Sequence, residues 1–377
     1  MTEITTVSET GAAVSAAFGL SPDGEAVAAQ DAPKPTASAP PSMRTWTRDG
    51  FVGDASADLP TAYAPDYISV QGPHAPHRWT LSDIVPADES DPTALPMLMA
   101  HSSRLRLRLS GRRVPGEVVI RNVEADELHF IQDGSVRFET DFGSLAAGPG
   151  DFVFLPRSTA YRYYATSGSM RDFIMESTQP LKFDTPYQVG VINFGRDLER
   201  ASPETIPDSG ITKVLLRAWE GDSTLFTLPS NPLAMASHIG GAVPVWKINI
   251  DKIQKLVSLP LGGPPYPFMS TDNNDLLIFN IGDRPTGGYR PPIHVNADYD
   301  EVMIYVGGES AWGGMDRPGT VGWVPKGVVH HGVSPSTPKP HTSWMFETRG
   351  TLRWTEEAVR AGALMETGTY GLHSQSS

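Results

Sequence analysis

The sequence predicts an all-β protein built of two barrels behind a loosely built N-terminal arm. Three observations carry this. From about residue 100, short alternating apolar runs ("GEVVIRNV", "ELHFIQDGSVRFETDFG", "GDFVFLP") are broken by Gly, Pro and Asp, which is the pattern of strands and turns. The same rhythm returns at 243–250, 275–281, 301–306, 320–325 and 343–354. Helical periodicity is nearly absent, with "TEEAVRAGALME" near the C-terminus as the exception. Short strands at this spacing close into sandwiches or barrels.

Taken in order, residues 1–65 are rich in Ala, Pro, Ser and Thr and poor in large apolar side chains. Such a segment buries too little surface to offset its ordering entropy, so a mobile tail or surface arm is expected. Residues 66–200 form the first barrel. Within it, Asp133-Gly134 between "HFIQ" and "SVRF" signals a tight hairpin, because Gly supplies the positive φ of the turn. A connector falls at roughly 185–235, and residues 201–377 contain the second barrel.

Composition narrows the chemistry. The chain has 377 residues with 30 Lys and Arg against 43 Asp and Glu, a formal net charge of −13. That balance disfavours nucleic acid or an anionic membrane as partner. No apolar run approaches the roughly 20 residues of a spanning helix. The first residues lack the basic stretch of a secretory signal, so a cytoplasmic protein is the expectation. Cysteine is absent, which excludes disulfides and thiolate sites. Any transition metal must sit on histidine and carboxylate. No Gly-rich phosphate loop follows a strand, so no organic cofactor is indicated.

The stretch "RPPIHVNADYDEVMIYVGG" (290–308) concentrates His294, Asn296, Asp298, Asp300 and Glu301 ahead of an apolar strand. Its Gly288…His294-x-Asn296…Glu301…Gly308 spacing, followed by Gly319…Pro325-Lys326-Gly327…His330, resembles the two motifs of the cupin superfamily, small double-stranded β-helix barrels. The resemblance implies metal ligation by His294, Glu301 and His330, with Asn296 at the usual second histidine. A two-histidine, one-carboxylate set leaves open positions on the metal. His331 fits the His-Gly pair of the family loop. Neighbouring strand residues face opposite sides, so one of the two histidines points inward; His330 is preferred, with His331 as a proton-transfer group. In the first half, Glu127 keeps the acid position, but Tyr161 stands where the second motif has histidine. That barrel is expected to hold no catalytic metal, with His129 packed.

"FETDFGSLAAGPGDFVFLPRSTAYRY" and "RPPIHVNADYDEVM…GWVPKGVVHHG…WMFETRGTLRW" are similar to the homogentisate 1,2-dioxygenase family, bicupin iron enzymes that open an aromatic ring. The resemblance covers about 115–355. It implies Fe(II), a small hydroxylated aromatic substrate and O2. Where the family has a substrate-binding histidine after tryptophan, this chain has Lys247 after Trp246. Lys247 is read either as a solvated strand residue or, inside the barrel beside a metal, as a group orienting an anionic substrate oxygen and disfavouring homogentisate. Tyr305, Trp323 and Arg290 are read as core or site. Rival readings are another metal-dependent cupin enzyme, of quercetinase or isomerase type, and a non-enzymatic small-molecule-binding bicupin. Exposed barrel edges suggest a homo-oligomer.

Overall fold

Alternation in the sequence becomes alternation in burial, and the strands it produces group into two compact units. The computed structural model describes residues 44–50, 53–61, 67, 69–184, 192–204, 206–255, 266–282, 293–308, 315, 317–330 and 341–365. Leu81–Lys255 and Pro267–Asn273 form one unit, the N-terminal barrel; the residues up to Thr80 and from Asn274 onward form most of the other, the C-terminal barrel. The boundary is therefore not near residue 200 as expected: residues 201–255 pack with the first barrel.

Three strands open the described chain and belong to the C-terminal barrel: β1 (Arg44–Thr47), β2 (Ala55–Asp58) and β3 (His77–Thr80). The N-terminal barrel begins with β4 (Met97–His101), β5 (Leu105–Ser110), β6 (Val119–Asn122), β7 (Asp126–Asp133), β8 (Val136–Thr140) and β9 (Gly143–Ala147). It continues through β10 (Asp151–Leu155), β11 (Ala160–Ala165), β12 (Arg171–Ser177), β13 (Lys182–Phe183), β14 (Glu199–Arg200), β15 (Thr212–Arg217), β16 (Ser223–Leu228), β17 (Trp246–Asn249) and β18 (Met269–Ser270). The C-terminal barrel resumes with β19 (Leu276–Gly282), β20 (Ile293–Asn296), β21 (Asp300–Gly308), β22 (Thr320–Val324), β23 (His341–Thr348), β24 (Arg353–Trp354) and β25 (Ala363–Leu364).

Each barrel faces one sheet against another. In the N-terminal barrel the orders are β14-β17-β10-β7-β12-β5-β4 and β16-β15-β6-β11-β8-β9; in the C-terminal barrel they are β19-β23-β21-β22-β3-β25 and β2-β1-β20. These are double-stranded β-helix barrels, all-β as the sequence indicates. The one helix expected near the C-terminus is Glu356–Ala361, whose N-cap Thr355 accepts from the Ala358 N–H at 3.2 Å.

Two expectations change. Asp133-Gly134 does turn the chain, with Gly134 at φ 80°, but β7 and β8 enter different sheets instead of pairing. The Gly134 backbone lies so close to Ser169 that a Cβ would fall 2.1 Å from its carbonyl oxygen. Glycine is thus required at this barrel corner, and both edges of β7 are already taken by β10 and β12. Second, the segment read as an arm contributes β1 and β2, and β1 pairs in parallel with β20; residues 1–43 lie outside the described residues.

The two barrels repeat one another bond for bond. Asp126 accepts from the N–H groups of Arg157 (3.0 Å) and Leu181 (2.9 Å), and Asp300 accepts from those of Lys326 (3.1 Å) and Leu352 (2.9 Å). Ser158 N–H donates to Asn122 O at 2.6 Å, and Gly327 N–H to Asn296 O at 2.9 Å. Both turn residues have positive φ, 67° and 84°. In the parallel pairs, Arg217 lies opposite Asn122 and Thr47 opposite Asn296. Glu127 faces Glu176 across β7 and β12, as Glu301 faces Glu347 across β21 and β23.

Candidate metal centre

In the C-terminal barrel, His294 comes from β20, Glu301 from β21 and His330 from the turn after β22. His294 and His330 face each other across a two-residue bridge, with backbone bonds of 2.7 and 3.0 Å. The Pro325–Val328 turn folds the chain back to make that bridge, its Val328 N–H reaching Pro325 O at 3.2 Å. Among the described residues, these three form the one group of metal-type donors whose ligand atoms all lie within 4.8 Å of one another. All three are buried.

The donor atoms are prepared for a cation. His330 Nδ1 is 2.9 Å from Val328 O, so that nitrogen carries the proton and Nε2 faces the interior. His330 Nε2 lies 3.1 Å and His294 Nε2 3.9 Å from Glu301 Oε2. Burial opposes ionisation of Glu301, but the two imidazoles overcome it and hold this carboxyl far below its usual range. Burial likewise opposes charging His330, and Glu301 overrides it to raise the imidazole. Asn296 Nδ2 donates to Glu301 Oε2 at 3.2 Å, and the Thr47 hydroxyl lies 3.3 Å from Asn296 Oδ1. The residue at the usual second-histidine position therefore orients the carboxylate.

The other acids of 290–308 are structural. Asp298 binds the Arg48 guanidinium at 2.7 Å and the Asp49 N–H at 2.9 Å, tying the β1–β2 turn down. Asp300 holds the backbone turns described above.

Sequence reasoning missed Glu347. It is 1 % exposed, and neither carboxyl oxygen has a hydrogen-bond partner among the described residues. Burial, with Glu301 adding repulsion, pushes its carboxyl up to about 8. A Cβ on Gly50 would lie 2.9 Å from its Oε2, so the β1–β2 turn approaches this carboxyl closely. A cation seated among Glu301, His294 and His330 suits both this charge pattern and the nitrogen–oxygen donor set.

The remaining candidates fall elsewhere. Tyr305 packs with Phe279, Met303 and Met345 in the interior cluster and donates to Gly308 O at 2.5 Å. Trp323 donates to Asp300 at 3.3 Å and lies against Trp354 in the core. His331 and Arg290 lie outside the described residues. Lys247 must be corrected: it sits on β17 of the N-terminal barrel, opposite Val153 of β10. Its ammonium is 3.2 Å from Asp151 and 3.4 Å from Glu199. A lysine with two carboxylates beside it is a structural ion pair, and the argument from Lys247 against homogentisate falls with it.

At the matching place in the N-terminal barrel a protein cation is already present. Arg217 is 3.4 Å from Glu127 and also binds Glu176, which accepts from Arg108 at 2.8 Å. Tyr161 and Asn122 donate to Glu127 at 2.5 and 2.9 Å. Burial pushes Glu127 up, but His129 and Arg217 outweigh it and bring it to about 2. His129 sits 2.7 Å from Asp172 and 3.5 Å from Glu127. Burial disfavours its charge, yet these acids raise it to about 9.

Fold and donor set together define a two-barrel β protein with a histidine–carboxylate centre in one barrel. No family model matches the chain. It is similar to homogentisate 1,2-dioxygenase of Rhodopseudomonas palustris (strain BisA53), 27% identical over 63% of this chain and 59% of that protein. The same-named protein of Nitrobacter hamburgensis is 25% identical over 65% of this chain and 60% of its own length. The matched segments span about 60% of the length of these curated relatives. A solved cupin 2 conserved barrel domain protein from Leptotrichia buccalis aligns over 72% of this chain and 95% of its own, at 10% identity and TM-score 0.38. No helix among the described residues is long and apolar enough to cross a membrane.

Proposed function

We propose that the chain is a non-haem Fe(II) ring-cleaving dioxygenase that takes a hydroquinone-like aromatic and O2. The observation that carries this reading is the convergence of His294, Glu301 and His330 within 4.8 Å inside the barrel, in a chain whose curated relatives include homogentisate 1,2-dioxygenases. Ferrous iron supplies, when bound, open positions for substrate and dioxygen and a route for electrons between them. The protein's part is to position and to exclude water. Val328 O fixes the His330 tautomer. Asn296 fixes Glu301. Met303, Met345, Phe279 and Tyr305 give the barrel an apolar and aromatic interior suited to a planar ring.

The test is metal analysis of anaerobically purified protein, then oxygen uptake and product spectra with a panel of hydroxylated aromatics, homogentisate included. Ring-opened product that forms only with iron-loaded protein supports the proposal. Iron uptake with no consumption of oxygen on any diol would favour a metal-dependent enzyme of another kind.

A further inference from the structure

The apolar side chains left on the surface are not scattered evenly. Among the described residues, the exposed large hydrophobics Ile211, Leu225 and Phe226 gather on the β15–β16 hairpin and the residue before it. The two strands pair over six residues without a bulge, from Thr212 opposite Leu228 to Arg217 opposite Ser223. β15 is held on its other side by β6, whereas β16 ends its sheet. Residues 223–227 are exposed and Leu228 is half-buried, so the strand is open to solvent on both faces.

Sheets ordinarily shield such an edge with charge, proline, a bulge, a cover or a very short strand. Among the described residues, the other strands that end a sheet do so. β13, β14, β24 and β25 have two residues each. β2 and β20 have four, with Asp58 of β2 paired to Arg44 and His294 of β20 bridged to His330. β9 is largely buried and bridged to Ser202. β16 has none of these devices: its sequence, Ser-Thr-Leu-Phe-Thr-Leu, holds no charge and no proline and is rich in strand formers. Successive residues alternate faces, so Leu225 extends the row Ile120–Leu215 on one face and Phe226 the row Val119–Val214 on the other. Each row ends at the open edge in an exposed side chain, Leu225 at 53% and Phe226 at 45%.

We propose that β16 is a self-pairing edge, through which two copies of this chain join by antiparallel β16–β16 hydrogen bonding across a two-fold axis. A two-fold normal to the sheet sets like faces together, so the two Leu225 side chains share one face and the two Phe226 side chains the other. Each apolar row then runs unbroken from one sheet into its copy. The charges agree with the same arrangement. Lys213, exposed and opposite Thr227, flanks one end of the strand, and exposed Asp222 precedes the other. Antiparallel pairing brings the lysine end of each copy to the aspartate end of its partner. Between those ends the strand is uncharged, so two chains of formal net charge −13 meet where neither presents like charge. A foreign strand would have to be apolar on both of its faces to cover this edge as well. One strand pair is a small interface, so the dimer should be reversible, with Kd roughly micromolar. The inference is independent of what the C-terminal barrel binds.

The experiment is sedimentation velocity of the full chain over a wide concentration range. Wild type, Leu225→Lys and Leu225→Glu are run singly, and the two variants also mixed in equal amounts, with circular dichroism and Tm to confirm folding. Leu225 is more than half exposed, so neither charge should disturb the barrel. Wild type should associate as concentration rises. Each variant alone should need at least about tenfold more protein, since leucine burial is lost and like charges meet on one sheet face. The mixture should recover the association, because lysine then faces glutamate. Hydrogen exchange at 223–228, read on wild type at the two ends of the range, should slow on association. A wild type that stays monomeric throughout, or associates no better than Leu225→Lys, would overturn the proposal. So would a mixture no more associated than either variant alone, or exchange at 223–228 that ignores concentration.

Discussion

The two barrels share one hydrogen-bonding plan and differ in which charge sits at its centre. Asn122 and Asn296 each lie five residues before the acid they hold, Glu127 and Glu301. Around that constant frame, the N-terminal barrel has Ile120 and Tyr161 where the C-terminal barrel has His294 and His330. Its buried acids have the cations Arg217 and His129 beside them. The C-terminal barrel retains an acid pair with no arginine or lysine bonded to it among the described residues. The difference teaches that one scaffold can set its own cations beside buried carboxylates in one copy and leave them without one in the other.

The sharpest way to test this division is to remove a ligand. His294→Ala should abolish stoichiometric metal binding and, with it, any metal-dependent oxygen uptake, because two remaining donors hold an ion weakly. The barrel should still fold, since its interior cluster of Phe279, Met303, Tyr305 and Met345 is untouched. Metal analysis of the purified variant checks this; full occupancy would rule out His294 as a ligand.

The opposite substitution probes the other barrel. Arg217→Met leaves Glu127 and Glu176 buried, at 1 % exposure each, without their shared cation. Breaking a buried pair in this way costs about 3–5 kcal/mol. A matching loss in denaturant-unfolding free energy is expected, with metal binding in the C-terminal barrel unchanged. A loss below about 1 kcal/mol would mean that Arg108 and His129 alone neutralise the site.

The comparison also has a pH signature. His129 is raised to about 9 in the folded barrel from 6.5, so its contribution is fully present below about 6.5 and is lost as pH rises through 9. At 1.36 kcal/mol per unit this is roughly 3 kcal/mol. Facing the ring are Asp172, Glu127, Phe138, Tyr161 and Tyr163. Unfolding measured at pH 6 and pH 9.5 should show the drop in wild type and a smaller one in His129→Gln. Equal drops in both proteins would place the alkaline sensitivity elsewhere.

What the sequence made legible was local. The Pro-x-Gly turn and the spacing from His294 to Glu301 depend on residues a few positions apart, so the barrel fold and the three donors that converge in one barrel could be read directly. What it hid was long-range pairing. β1 finds its partner 248 residues away, as the Thr47–Val295 contact shows, and a four-residue strand in an Ala- and Pro-rich segment carries no periodic signal. Lys247 looked like a site residue because its strand was assigned to the wrong barrel. Glu347 stood in plain view within "WMFETRG", yet only its cross-strand position opposite Glu301 gives it meaning.

The smallest expected effect isolates the shared asparagine. In both barrels it donates to the acid, at 2.9 Å from Asn122 and 3.2 Å from Asn296, so the bond is the same and its consequence should differ. Asn122→Ala removes a donor from a carboxylate already held by Arg217 and Tyr161. A loss of about 1–2 kcal/mol in stability should follow, with no change in metal binding. Asn296→Ala leaves Glu301 free to turn, because its other neighbours are the imidazoles that a metal would occupy. Here the loss should fall on the metal, roughly tenfold in affinity, and Asn296→Asp should be worse than Ala, since it adds a negative charge and no donor. Calorimetric titration of both alanine variants with Mn(II) separates the cases. Equal metal affinity in the two would show that Glu301 is oriented by its strand alone, and that the asparagine is a relic of the common frame rather than part of the centre.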